Sequence, residues 1–305
     1  MQKVIVICGP TASGKTSLSI ELAKKINGEI VSADSMQIYD EMQIGTAKPD
    51  KEEMQGIQHY LIGNIEPTKR YSVSEYKKDA INSIKEIIQK GKTPIIVGGT
   101  GLYVNSLIYG IDYPEIETDL KYREELEKIV EEKGLEYLYN QALKIDSQAM
   151  KNISKNDQKR ILRVLEIYKE TGKTKTQMEI ESRKNKIPYD YKVFALNMPR
   201  ETLYDRINKR VDIMIEKGLI EEVERLYKKY GEKLTTSMQG IGYKEVVEYL
   251  KGNYTKEEMI EKIKMETRRY AKRQITWFKK IENIKWLDAL QPAQNNIDII
   301  LEVIK

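Results

Sequence analysis

The sequence predicts an α/β protein: a parallel sheet flanked by helices, interrupted by a helical insertion and closed by a helical C-terminal region. Three observations predict it. The run Gly9-Pro-Thr-Ala-Ser-Gly-Lys15-Thr16 fits GxxxxGK[ST] and stands between an apolar run and a helical stretch. Short β-branched runs alternate with helical stretches in the N-terminal part. From about Glu115 to Lys186 only helical periodicity is found, and a strand-like run resumes at Tyr191.

The first strand is read over Val4–Cys8, because the run is apolar and rich in β-branched residues. The loop after it carries glycines that let the backbone curl. Its N–H groups then point at a bound anion, at the positive end of the following helix. Gly9, Pro10, Thr11, Ala12, Ser13, Gly14, Lys15 and Thr16 are therefore candidate phosphate-binding residues. Lys15 would supply a point charge and Thr16 a hydroxyl for magnesium. This makes the core P-loop NTPase-like. The helix after the loop, Ser17–Ile26, stops at Asn27-Gly28, a C-terminal signal. The second strand is read at Glu29–Ala33. The next helix opens with the capping box Ser72-Val-Ser-Glu75, carries Ala80, Ile84, Ile87 and Ile88 on one side, and stops at Gly91. Strands follow at Pro94–Val97 and, after the insertion, at Lys192–Leu196. Thr255-Lys-Glu-Glu258 is a further capping box, opening a helix through about Lys280. The expected domains are residues 1–114 with 191–305 as the core, and 115–190 as the insertion.

Composition narrows the class. The 305 residues carry 52 Lys plus Arg against 47 Asp plus Glu, a net charge of +5, so placement of charge matters more than its total. One cysteine, Cys8, and one histidine, His59, exclude an internal disulfide and a Cys/His zinc site. Cys8 ends the first apolar run and reads as a small buried residue. The N-terminal apolar run is too short for a signal-peptide core, and no stretch suits a membrane span. A cytoplasmic enzyme is expected.

In an open parallel sheet, ligands bind beyond the carboxyl ends of the strands. The first end runs into the phosphate loop. The second continues as Ala33-Asp-Ser-Met-Gln37, and the third as Gly98-Gly-Thr-Gly-Leu-Tyr103. Asp34 and Thr100 should then lie near the loop. A carboxylate beside a phosphate is costly unless magnesium or a proton-bearing substrate lies between them. Asp34 reads either as a general base or as an Asx turn after the strand. The third strand end offers glycines where a nucleotide hydrolase would place an acid, so ATP hydrolysis is not the natural reading.

Two helices place positive charge unevenly. In Asn156–Glu170, Ile161, Val164, Leu165 and Tyr168 form an apolar stripe, with Lys159 and Arg163 opposite it and Arg160 beside them. The segment Thr267–Lys280 holds six basic residues and no acidic one, with Tyr270, Trp277 and Phe278 among them. This suits phosphate contact and base stacking, or else a solvated basic face whose aromatics are core.

Taken in order, these motifs resemble the tRNA dimethylallyltransferases, also called tRNA isopentenyltransferases. Besides the phosphate loop, the matching pieces are Ser32-Ala-Asp-Ser-Met-Gln-Ile-Tyr39, Ile44-Gly-Thr-Ala-Lys-Pro49, Gly98–Tyr103, Lys159-Arg-Ile-Leu-Arg-Val-Leu-Glu166, Gly240-Ile-Gly-Tyr-Lys-Glu245 and Arg268–Trp277. The resemblance implies transfer of a dimethylallyl group from its diphosphate to the exocyclic amine of the adenosine 3′ of the tRNA anticodon, with Mg2+. It implies Asp34 as general base, assisted by Thr100 and Lys15, and diphosphate on residues 9–16 with the metal at Thr16. Contacts to tRNA would come from Asp34, Ser35, Met36, Gln37, Thr100, Arg123, Lys159, Arg160, Ile161, Leu162, Arg163, Gly240, Ile241, Gly242, Tyr243, Lys244 and Glu245. A monomer is expected. Tyr60 departs from the family pattern, where many relatives carry a second histidine after His59.

The enzymatic rivals are an adenylate isopentenyltransferase and a P-loop small-molecule kinase. Arg200, Arg206 and Arg210 at helical spacing resemble the arginines of nucleotide kinases. Both rivals leave the basic helices and the insertion unexplained. A third rival is an RNA-binding module with the phosphate loop as a sensor, against which stand Asp34 and the Gly98–Tyr103 loop.

Overall fold

The computed structural model describes residues 1–113, 119–234 and 236–305. The expected boundary between residues 114 and 115 lies outside them. Along the chain come β1 (Lys3–Cys8), α1 (Lys15–Ile26), β2 (Gly28–Ser32), α2 (Lys51–Met54), β3 (His59–Tyr60), α3 (Val73–Gln89), β4 (Thr93–Gly98) and α4 (Gly101–Ile108). Then follow α5 (Leu120–Lys133), α6 (Leu135–Ile145), α7 (Ser147–Met150), α8 (Gln158–Thr171) and α9 (Lys175–Ser182). The last part holds β5 (Asp190–Asn197), α10 (Arg200–Glu216), α11 (Leu219–Tyr230), α12 (Tyr243–Leu250), α13 (Lys256–Phe278), β6 (Lys285–Asp288) and α14 (Ala293–Ile304). No described helix is long and apolar enough to cross a membrane.

Chain contacts divide these elements into two units, Met1–Val104 with Pro188–Lys305, and Asn105–Ile187. The first unit is built on one sheet, in the order β3-β2-β4-β1-β5-β6, with every pair parallel. The four strands expected from β-branched runs are present. β3 and β6 are additional edge strands. β1 lies at the centre, which explains why Val4 to Cys8 are wholly buried. Ile5, Ile7, Ile30, Ile95 and Phe194 pack against Leu18 and Leu22 of α1 and Ile297 and Ile300 of α14. α3 packs on β2 and β4. Its N-terminus is fixed by the full capping box, Ser72 accepting from the Glu75 N–H while the Glu75 carboxylate accepts from the Ser72 N–H. α1 ends on Asn27 in the left-handed region, as Asn27-Gly28 predicts.

A second core of this unit gathers Ile38, Tyr39 and Met42 with residues of α10 to α13. Glu222, buried on α11, accepts hydrogen bonds from the backbone N–H groups of Gln43, Ile44 and Gly45 and from the Tyr243 hydroxyl. One carboxylate thus orders the Ile44–Pro49 segment and ties it to α12.

The second unit is helical. Leu126, Leu138, Ala142, Ile161, Leu162, Val164 and Leu165 form its core. Buried Asp146 accepts from the N–H of Ala149 and from the N–H and hydroxyl of Thr176, so one side chain caps α7 and ties it to α9.

Candidate active site at the strand ends

β1 feeds directly into the phosphate loop, and the loop's geometry is that of an anion cradle. Gly9, Ala12 and Gly14 all have positive φ, and the chain enters α1 at Lys15. Gly14, at φ 89°, precedes α1 without a capping side chain, so the first-turn N–H groups of α1 receive no cap from it. The Ser13 hydroxyl is buried and has no hydrogen-bond partner. An orphaned buried donor at an anion cradle fits a phosphate oxygen. Lys15 Nζ donates to the Pro10 carbonyl at 2.7 Å. Burial, and then the Arg210 guanidinium, bring the Lys15 ammonium down to about 8, with Asp34 and Cys8 opposing. Thr16 is exposed. Among the described residues no cluster of three or more His, Cys, Asp or Glu forms a metal cage. The exposed Thr16 hydroxyl in the first turn of α1 is an oxygen donor of the kind a hard cation takes beside phosphate oxygens.

The end of β2 brings Asp34 to the same place, and β4 brings Thr100. β4 lies between β1 and β2, so the ends of three neighbouring strands supply the site. Gly98 is required at this crossing. A Cβ there would lie 2.1 Å from the Ala33 carbonyl oxygen, so a larger residue would push the segment carrying Asp34 away. The Ala33 carbonyl accepts from the Thr100 N–H at 3.1 Å. The Thr100 hydroxyl accepts from the Ser35 N–H at 3.0 Å and reaches the Ser35 hydroxyl at 3.3 Å. Asp34 Oδ1 accepts from the N–H groups of Met36 and Gln37 at 2.9 and 3.3 Å. Both sequence readings of Asp34 are therefore compatible: one oxygen makes the Asx turn, and Oδ2 takes no part in it. Gln37 donates its amide to the Thr46 and Ala47 carbonyls, which leaves its amide oxygen outside these bonds.

Three residues stand at this site that the sequence named without placing them here. Gln274 on α13 is 5% exposed and accepts from the Thr11 N–H while donating to the Gly99 carbonyl, both at 2.9 Å. One side chain thus joins the phosphate loop to the loop carrying Thr100. One turn earlier, the Tyr270 hydroxyl faces Thr100 and Gln274, and burial, then the Asp34 charge, push it up to about 12. Arg210 on α10 reaches the Thr11 hydroxyl at 3.4 Å. The i, i+4 spacing of Tyr270 and Gln274 was legible, but their direction depends on how α13 docks. The basic segment of α13 splits accordingly: Phe278 is core, Trp277 lies over Gly101, and Lys272, Arg273, Lys279 and Lys280 are exposed.

The remaining expected residues fall in two places. Gly240 packs so closely on Met36 that a Cβ would lie 2.6 Å from Met36 Cε. This brings the Gly240–Glu245 turn beside the Asp34–Gln37 segment. Within the turn Tyr243 and Glu245 face inward, Glu245 capping the Gly242 N–H at 2.8 Å, while Lys244 stays exposed. Arg123 and Lys159–Arg163 belong to the second unit. There Lys159 and Arg160 are exposed and Arg163 is half-buried, but Ile161 and Leu162 are core side chains. Within residues 159–163, therefore, only the three basic residues present side chains to solvent. The apolar stripe also differs from expectation, since Tyr168 is 43% exposed and Ile167 is buried instead. His59 bonds the Ile57 carbonyl through Nδ1 at 2.8 Å and serves the edge strand. Cys8 is buried, and its thiol meets the Phe194 carbonyl.

Comparison with known proteins finds similar chains and similar folds. The family model for IPP transferase matches residues 37–281. A tRNA dimethylallyltransferase of Acetivibrio thermocellus is 52% identical over 288 residues, covering 94% of this chain and 92% of the relative. The crystal structure of a tRNA isopentenylpyrophosphate transferase from Bacillus halodurans superposes with a TM-score of 0.74 at 44% identity, covering all of this chain and 96% of that one. A eukaryotic dimethylallyltransferase, described as acting on tRNA, superposes with a TM-score of 0.82 at 33% identity over all of this chain and 80% of its own.

Proposed function

The chain belongs to the IPP transferase family, and on that premise we propose that it transfers a dimethylallyl group from dimethylallyl diphosphate to the exocyclic amine of the adenosine 3′ of the tRNA anticodon. The observation that carries the reading is the convergence of a phosphate cradle, a half-engaged carboxylate and a fixed hydroxyl at adjacent strand ends. A hydrolase needs the first of these; a transferase to a weak amine nucleophile needs all three.

The diphosphate lies on the backbone N–H groups of residues 9–16, with the Ser13 hydroxyl and Lys15 as further donors. The adenine amine faces Asp34. As its nitrogen bonds to the allylic carbon, the carbon–oxygen bond breaks and its electron pair leaves with the diphosphate. The amine proton passes to Asp34 Oδ2. Lys15 and Arg210 face the charge that builds on the leaving group as donors already in place. Thr16 would hold Mg2+, which when bound supplies further neutralisation of the diphosphate. Thr100 keeps Ser35, and so Asp34, in register, while Gln37 and Thr100 orient the base.

The target base has to leave its stack to reach a site of this kind. On this reading the tRNA is held by the Asp34–Gln37 segment, the Gly240–Glu245 turn through its backbone and Lys244, and the basic groups Arg123, Lys159, Arg160 and Arg163. The enzyme works in the cytoplasm as a monomer. The test is incubation with radiolabelled dimethylallyl diphosphate, magnesium and tRNA lacking the modification, with AMP and ATP as parallel acceptors. Label in tRNA alone is expected. Label in AMP or ATP would move the enzyme to the free-nucleotide class.

A further inference from the structure

The second unit buries a carboxylate that the reaction above does not use. Glu166 on α8 has a side chain only 4% exposed, and its two oxygens face two different arginines. Oε1 stands 3.5 Å from Arg123 Nη1 on α5, and Oε2 stands 3.3 Å from Arg163 Nη1, three residues earlier on α8. Oε1 is sealed from water and makes no hydrogen bond of its own. The Arg123 and Arg163 side chains are 32% and 39% exposed, so each arginine touches the buried carboxylate while part of its side chain meets solvent. Among the described residues Arg163 has no other acidic partner within ion-pair distance, and Arg123 has Glu127 at 3.6 Å.

An i, i+3 ion pair serves a helix equally well on its surface, whereas burying a carboxylate carries a desolvation cost. What burial achieves here is to hold two like charges side by side. Without Glu166 the guanidiniums repel and spread. With it the three groups carry one net positive charge, and two planar forks stand fixed at their base. A guanidinium offers five N–H donors, and one carboxylate oxygen occupies few of them. The remaining donors suit an anion with several acceptor oxygens, which is a backbone phosphate.

We propose that Glu166 is a positioning residue that presets Arg123 and Arg163 as a single clamp for a phosphate of the tRNA backbone. This rests on the tRNA reading of the preceding section. It goes beyond it by making the pair, rather than either arginine, the binding element.

Glu166→Gln keeps the shape and removes the charge, and it separates the explanations by sign. It adds one net positive charge, so electrostatics alone predicts tighter RNA binding. Loss of positioning predicts weaker binding, with KM for tRNA rising about tenfold or more. KM for dimethylallyl diphosphate should barely move. The dependence of tRNA affinity on salt should become shallower by about one phosphate contact. Added to Arg163→Ala, Glu166→Gln should cost little more, because the clamp is already broken. A merely structural carboxylate would lower Tm while leaving KM of the folded enzyme unmoved. Arg163→Lys leaves Glu166 in place, retains the charge but not the fork, and should reproduce the loss should Glu166→Gln fail to fold. Unchanged or tighter tRNA binding in folded Glu166→Gln, or wild-type behaviour of Arg163→Lys, overturns the inference alone. A wild-type enzyme that transfers nothing to tRNA overturns the reading of function and this inference with it.

Discussion

Gln274→Ala tests whether the two loops of the active site act as one body. The amide makes two bonds of 2.9 Å, to the Thr11 N–H and the Gly99 carbonyl. Gly99 is buried, so its orphaned carbonyl should cost about 2 kcal/mol. Thr11 is partly exposed, and its N–H regains water at a cost of about 1 kcal/mol. The expected loss of stability is therefore about 3 kcal/mol, read from urea unfolding. The catalytic effect is separate. A phosphate loop free to shift by about an ångström should lose about a hundredfold in kcat/KM for dimethylallyl diphosphate, measured with labelled substrate at fixed tRNA. Gln274→Glu sharpens the test. It keeps an acceptor for Thr11 but sets an oxygen against the Gly99 carbonyl and adds a negative charge where diphosphate binds. Its kcat/KM should fall further than that of Gln274→Ala, and its unfolding midpoint should fall at least as far, because a carboxylate is then buried against a carbonyl. Wild-type kcat/KM in both variants would refute the claim that Gln274 braces the site.

Other outcomes follow from the same geometry. Asp34→Asn retains the acceptor that Met36 and Gln37 use, so stability and tRNA affinity should stay close to wild type while kcat drops about a hundredfold or more; a kcat within threefold of wild type removes the base assignment. The Lys15 pKa of about 8 lies below the usual value, so the free enzyme carries the ammonium below about pH 8 and loses it above. Hence kcat/KM for dimethylallyl diphosphate should decline as pH rises through 8, and Lys15→Arg should remove that decline at reduced activity. Gly98→Ala drives a Cβ against the Ala33 backbone and should cost about 3 kcal/mol or more of stability, since backbone rather than a flexible side chain must move. Chelation of magnesium should abolish transfer while tRNA still binds, by filter binding at matched ionic strength.

How much of this was legible in the sequence varies from element to element, for physical reasons. The inner strands announce themselves through short apolar, β-branched stretches such as Val4–Cys8 and Pro94–Val97, whose side chains are mostly buried. β3 has two residues and β6 only one fully buried side chain, Leu287, so neither carries a pattern. The capping boxes at Ser72 and Thr255 are local chemistry, and both form as read. The phosphate loop, Asp34 and Thr100 lie where strand ends must bring them. Gln274, Tyr270 and Arg210 were visible as residue types but not as neighbours, because their partners are far away in the chain. Glu166 looks like any polar residue of an amphipathic helix. Only its burial between two arginines distinguishes it.

The bond from the Thr11 N–H to Gln274 spans 263 residues, and this has a consequence for how the enzyme comes into being. During synthesis β1, β2 and β4 emerge early, but β5, the other neighbour of β1, begins only at Asp190, after the whole helical unit. Contacts of such sequence separation form late, since their loop-closure entropy is met only when most of the sheet is in place. A chain still on the ribosome therefore carries the phosphate loop without the side chain that fixes it. On the proposed reading, a braced phosphate loop therefore requires that α13, which begins only at Lys256, has been made and has docked.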